Sequence, residues 1–172
     1  MIGALVNEWG ETVSLHAGAP QAAFAAAAEE GQRHYVTPQA DDCDIVIANT
    51  FAKANEGEGG TITGFPSLTA GGGDLVLVSN APEGHVTHYL LGTWGSVSPG
   101  EFRLLVQLPP QVRRLIVFNQ YPDLTAAAYF APAEKVLMVD RWEEVLRLLG
   151  ERYGDRAKVA VYTSAEIQYC GS

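Results

Sequence analysis

The segment Glu83-x-His85-x-x-His88 is the part of this sequence best suited to metal binding or proton transfer. Two histidines three residues apart share one face of a helix, and imidazole changes charge near neutral pH. A helical zinc motif of the H-E-x-x-H type is absent, and no third ligand is evident unless Glu83 folds back. The cluster therefore has two open interpretations, a weak metal or acid–base site and a purely structural or surface pair.

Polar residues with short side chains form a second group of candidates, because they follow predicted strands. Asn49, Asn80 and Asn119 each come directly after an apolar run or one residue beyond it. Open parallel sheets bind ligands outside the carboxyl ends of their strands, so these three residues are candidates to face a ligand. Asparagine is also a common turn and cap residue, which gives each position a structural alternative.

The polar segment after the first of these runs contains Lys53, Asn55 and Glu56 and is a further candidate for a ligand-facing loop. Its alternative is an ordinary solvated loop. The glycines that follow do not match a dinucleotide fingerprint, because the third glycine of that pattern falls on Ile62. There is no G-K-[ST] sequence, and no Ser or Cys lies in a nucleophile-elbow context.

Five short apolar runs predict the strands that position these candidates. Runs without alternation are typical of strands covered on both faces in a parallel sheet. The runs are Asp44–Ala48, Asp74–Ser79, Arg114–Phe118, Lys135–Val139 and Lys158–Tyr162.

Helices and a hairpin complete the predicted fold. Ile2–Val6 and Thr12–His16 predict a hairpin, and the alanine-rich segment Pro20–Glu30 predicts a helix capped by Gly31. Asp140–Tyr153 predicts an amphipathic helix with Asp140 as its cap. The alternation of strands and helices indicates an open three-layer, Rossmann-like α/β domain with a mostly parallel sheet of about five strands and an N-terminal β-hairpin. We expect residues 1–172 to form this single domain.

Composition restricts the partners of the chain. It has 172 residues, 47% of them hydrophobic, and a formal charge of −9, from 20 acidic and 11 basic residues. That charge argues against nucleic acid and against an anionic membrane surface. No signal peptide or apolar membrane span is apparent, so we expect a cytoplasmic protein with a buried, reduced Cys43.

The order of three segments resembles the C-terminal domain of the nickel-dependent lactate racemase family. These are ALVNEWGETVSLHAGAPQAAFAAAAEEG, CDIVIANTFAKANEGEGG and AGGGDLVLVSNAPEGHVTHYLLGTWG, which together span roughly residues 4–95. Phe51-Ala52 stands where that family has Tyr-Pro, and the family's substrate-binding Gln and Lys after that loop are missing.

The resemblance implies a racemase or epimerase of small anionic α-hydroxy acids. It implies a nickel pincer nucleotide as cofactor, carried by an N-terminal domain that this chain does not contain. We accordingly expect no cofactor on this chain, no activity from it alone, and a partner that is either the missing domain or a second copy.

Two other hypotheses remain beside this one. The chain could be a stand-alone α/β module that binds a small ligand, which predicts a concave pocket at the carboxyl ends of the strands. Less favoured is a metal-dependent enzyme that uses Glu83, His85 and His88.

Overall fold

A computed structural model describes residues 1–82, 106–121 and 129–170, except for the side chain of Glu56. Contacts divide the chain into two compact units. The first contains Met1–Gln39 and the chain end from Ile167 onward, and the second is Ala40–Glu166. The single domain over residues 1–172 stays a prediction.

The first unit is a β-hairpin with a helix packed against it. Strands β1 (Ile2–Val6) and β2 (Thr12–Ala17) pair antiparallel, which confirms the predicted hairpin. Helix α1 (Pro20–His34) follows. The prediction that Gly31 caps this helix is wrong, because Gly31 lies inside it and is buried. A Cβ at Gly31 would make ordinary van der Waals contact with Leu5 and the ring of Tyr35, so this position faces the hairpin.

The second unit contains a five-stranded parallel sheet. Its strands are β3 (Ile45–Asn49), β4 (Gly73–Val78), β6 (Val112–Phe118), β8 (Val136–Val139) and β9 (Val159–Tyr162). Every neighbouring pair in it is parallel. A separate pair joins β5 (Val106–Gln107) to β7 (Phe130–Ala131). The α/β class with five parallel strands and an N-terminal hairpin is confirmed.

Helices on opposite faces of the sheet make the unit three layers thick. Helix α3 (Trp142–Tyr153) places Val145 and Leu149 on the face that contains Val76 and Ile116. Burying each of these side chains contributes about 1.5–3 kcal/mol. Helix α3 begins after Arg141, and no side chain caps it, so the predicted Asp140 cap is wrong.

The second helix of this unit, α2 (Glu58–Gly64), lies where glycine made the sequence a poor helix candidate. It packs on the face of Val46 and Leu75, opposite to α3. A methyl group on Gly64 would lie 2.7 Å from Leu75 Cδ1. The glycines that weaken the helix intrinsically are thus the residues that let it approach the sheet.

The order of the strands is β8-β6-β4-β3-β9. From β3 the chain adds strands in one direction as far as β8, and then it returns to place β9 on the other side of β3. The order in which strands are added therefore reverses at the β3–β9 boundary. Such a reversal is the switch point at which open α/β sheets form a ligand crevice.

An ion pair joins the amino ends of the two central strands. Asp74 is fully buried in β4, and one of its carboxylate oxygens accepts hydrogen bonds from Nε and Nη2 of Arg114 in β6. Nη2 also donates to the carbonyl of Leu148 in α3. Arg114 thus connects both central strands to the helix above them.

Of the helices in the described ranges, none combines the length and the apolar character needed to cross a membrane.

Replacing Arg114 by Ala should destabilise the protein by about 3 kcal/mol, because it leaves the buried carboxylate of Asp74 without its partner. Urea unfolding at neutral pH measures the change. Arg33→Ala removes an exposed ion pair with Glu29 and should cost less than about 0.5 kcal/mol. Equal losses in the two variants would contradict the structural role of the Asp74–Arg114 pair.

Candidate functional site

The switch-point site, as we call the residues around the carboxyl ends of β3 and β9, is closed by the turn that follows β9. The amide of Ala165 donates to the carbonyl of Asn49 at 2.8 Å. The carbonyl of Ala165 accepts from the hydroxyl of Thr63 in α2 at 2.7 Å. These two bonds hold the turn between the end of β3 and helix α2.

A short 3-10 helix, Phe51–Glu56, forms another wall of the switch-point site. Thr50, just before it, donates both its amide and its hydroxyl hydrogen to the carbonyl of Val78. Ser79 donates its hydroxyl hydrogen to the carbonyl of Ala54 at 3.0 Å. The segment that carries the exposed side chain of Lys53 is therefore fixed to the end of β4.

Helix α2 lies close to this wall because Gly60 has no side chain. A methyl group there would lie 2.7 Å from Thr50 Cγ2 and 3.1 Å from Oε1 of Glu166. A methyl group on Gly59 would lie 3.5 Å from Cγ of Glu166. Gly60 thus leaves room for the carboxyl group of Glu166 between α2 and the end of β3, and Gly59 lies beside the same side chain.

Glu166 is the unusual residue of the switch-point site. Both of its carboxylate oxygens are buried, and neither has a hydrogen-bond partner in the described part of the chain. Burial raises the pKa of Glu166 from its ordinary value of 4.5 to about 8, and the negative charge of Glu58 adds to the rise. Thr50 and the charge of Lys53 oppose this rise in pKa.

A carboxyl group with this pKa is mostly protonated at neutral pH. It can donate a hydrogen bond to an anionic ligand, and it can exchange a proton within the physiological range. Lys53 adds a positive charge at the same end of the sheet. The switch-point site therefore offers a proton-holding group and a cation.

The candidate residues predicted from the sequence do not form one site in the structure. Asn49 and Lys53 belong to the switch-point site, and the half-buried Asn55 lies on its 3-10 helix. Asn80 and Asn119 lie at the ends of β4 and β6.

Hydrogen bonds account for most of the polar atoms of Asn80 and Asn119. Asn80 exchanges two 2.8 Å bonds with Gln120. Asn119 accepts from the amide of Tyr121, while its buried side-chain nitrogen has no partner in the described ranges. Glu83, His85, His88 and the side chain of Glu56 lie outside the described residues. The ligand-facing roles of all these residues stay predictions.

Sequence patterns did not identify Glu166 as a candidate site residue. It follows the last predicted strand by four residues, beyond the Thr163-Ser164 pair that marks the strand end. Knowing that β9 lies beside β3 would have placed it at the switch point, but no local pattern shows that pairing.

Metal binding is not supported by the described residues. No group of three or more His, Cys, Asp or Glu side chains comes together among them in a way that could hold an ion. These residues do not fit a nickel centre.

Glu166→Gln tests the buried carboxyl through stability. Because the pKa of Glu166 is higher in the folded protein than in the unfolded chain, protonation of this group stabilises the fold at low pH. This contribution to the free energy of unfolding decreases as pH rises from about 4.5 to about 8. We expect the variant to gain stability relative to the parent between pH 5 and pH 9, measured by urea unfolding at several pH values.

Glu134→Gln is the matched control, since Glu134 is exposed. Its stability relative to the parent should stay nearly constant over that pH range. A flat difference for Glu166→Gln as well would show that the carboxyl is not held protonated by the fold.

Comparison with known proteins gives structural relations but no sequence relation. No family model matches the chain, and no curated protein matches it. The lactate racemase apoprotein from Thermoanaerobacterium thermosaccharolyticum has a similar structure, with a TM-score of 0.60 and 13% identity. The match covers 99% of this chain and 45% of that protein, so this chain spans less than half of its length. At this identity the likeness concerns the fold, and the chain has a lactate racemase-like fold.

Proposed function

We propose that this chain is the ligand-facing α/β domain of a lactate racemase-like enzyme and that its switch-point site handles a small anionic α-hydroxy acid. The observation that carries the proposal is the buried, unpartnered carboxyl of Glu166 at the reversal of strand order. The fold shared with lactate racemase apoprotein over nearly the whole chain supports it.

The chemistry of an α-hydroxy acid suits the two groups of the switch-point site. Its carboxylate needs a cation, which Lys53 supplies at the rim. Its hydroxyl group must lose and regain a proton during racemisation, and Glu166 is a group that exchanges protons near neutral pH. The buried position of Glu166 requires that α2 or the turn after β9 shifts to let the ligand reach it.

In this proposal, the hydride transfer of such an enzyme takes place in another domain. The nickel pincer nucleotide of the resembled family needs ligands that the described residues do not provide. We assign the cofactor to a further domain, so that this chain contributes substrate binding and proton handling and has no racemase activity by itself.

Binding of L-lactate and D-lactate to the chain, followed by NMR titration, tests the ligand class. Propionate is the matched ligand control, because it keeps the carboxylate and lacks the hydroxyl group. We expect lactate to bind more tightly than propionate and to shift amide signals of residues 49–60 and 163–166. Equal binding of propionate, or shifts confined to other regions, would overturn the assignment.

Lys53→Met should weaken lactate binding about tenfold or more, because it removes a charge-assisted contact worth about 1.5–3 kcal/mol. Lys158→Met is the control, since Lys158 pairs with Asp41 at the opposite end of the sheet. An effect of the same size in both variants would mean that general charge, and not the switch-point site, attracts the ligand.

A further inference from the structure

A cleft with a cavity volume of about 590 Å³ opens at the amino ends of the strands, opposite to the switch-point site. It lies between the start of β6 and the last turn of α3. Its lining residues are Arg113, Arg114, Leu148, Glu151, Arg152 and Tyr153. Three arginines line one cleft of a chain whose formal charge is −9.

Two of these arginines, Arg113 and Arg152, form no ion pair in the described part of the chain. Arg114 is neutralised by Asp74, and Glu151 at the rim shares Arg147 with Glu144. Arg113 donates a hydrogen bond to a neutral group, the carbonyl of Gly71, at 3.0 Å. The guanidinium of Arg152 lies 6.0 Å from the centroid of the Tyr153 ring and forms no ion pair in the described part of the chain.

Some of the guanidinium N–H donors of Arg113 and Arg114 form no hydrogen bond in the described part of the chain. Hydrogen bonds to Asp74 and Leu148 occupy Nε and Nη2 of Arg114, and its Nη1 has no partner in the described ranges. For Arg113, the bond to Gly71 occupies Nη2 alone. A planar guanidinium with two free donors matches the geometry of a phosphate group and binds it in a bidentate manner.

The carboxylate of Glu151 and the carbonyls at the end of α3 both oppose an anion in the cleft, because a helix carboxyl terminus also disfavours negative charge. Here the carbonyl of Leu148 already accepts from Arg114, which reduces that effect. The side chain of Leu148 and the ring of Tyr153 add apolar wall beside the cations. The cavity is much larger than a phosphate ion, so it has room for an attached organic group.

We propose that this cleft binds the phosphate group of a small phosphorylated molecule, with Arg113 and Arg152 as its main cationic contacts and Nη1 of Arg114 as a further donor. The cleft is separate from the switch-point site, and the proposal does not depend on the function proposed for that site.

NMR titration of the full chain at low salt and pH 7 tests the proposal with two probes, inorganic phosphate and glycerol 3-phosphate. We expect saturable shifts at residues 113–114 and 148–153 with both probes. Tighter binding of the ester would identify a phosphorylated metabolite as the source of the phosphate group, and equal binding would identify free phosphate. No saturable shift in this region at about 10 mM of either probe would overturn the proposal.

Arg152→Gln should weaken binding of the better probe about tenfold. Arg152 is exposed and donates no hydrogen bond within the described ranges, so this variant should fold normally. Arg141→Gln makes the same change of charge at the other end of α3 and is the control. Equal affinity of the two variants for the probe would overturn the role of the cleft. Arg113→Gln is a second test of the cleft and should weaken binding of the same probe.

Discussion

Strand β9 pairs with the free edge of β3, although a long stretch of chain separates the two. The register aligns Ile45 with Val159 and Ala48 with Tyr162, so both strands end at nearly the same level. The turn after β9 therefore meets the end of β3, and Ala165 bonds to Asn49. The switch-point site depends on this pairing, because Glu166 reaches Thr50 and α2 only through it.

Close approach of α2 is the second requirement, and glycine provides it. Gly64 lets the helix contact Leu75, and Gly60 leaves room for Thr50 and the carboxyl of Glu166. The loss of intrinsic helix stability, roughly 1 kcal/mol per glycine, is offset by this packing on the sheet. The same small residues exclude water from the carboxyl, and desolvation is the main reason that its pKa is raised.

The two ends of the sheet have different electrostatic character. At the carboxyl ends, a protonated acid and one lysine share a partly desolvated site. At the amino ends, Arg114 is committed to the buried Asp74, and two further arginines keep their charge. The fold can therefore present two ligand sites without interference, since the length of the strands separates them. The distribution of charge also shows why a net charge of −9 says little about any single cleft.

Local sequence patterns determined the five strands of the parallel sheet, the hairpin and the helix that ends at Tyr153, because apolar periodicity reports which side chains must be buried. They also placed Asn49 and Lys53 correctly at the end of the first parallel strand. Helix α2 was decided by packing, since Gly60 and Gly64 are favourable only against their particular neighbours. Tertiary structure alone placed Glu166 at the switch point and gathered three arginines in one cleft. Both arrangements depend on which strands and helices become neighbours, and that choice is made by long-range pairing between segments that carry no local signal of each other.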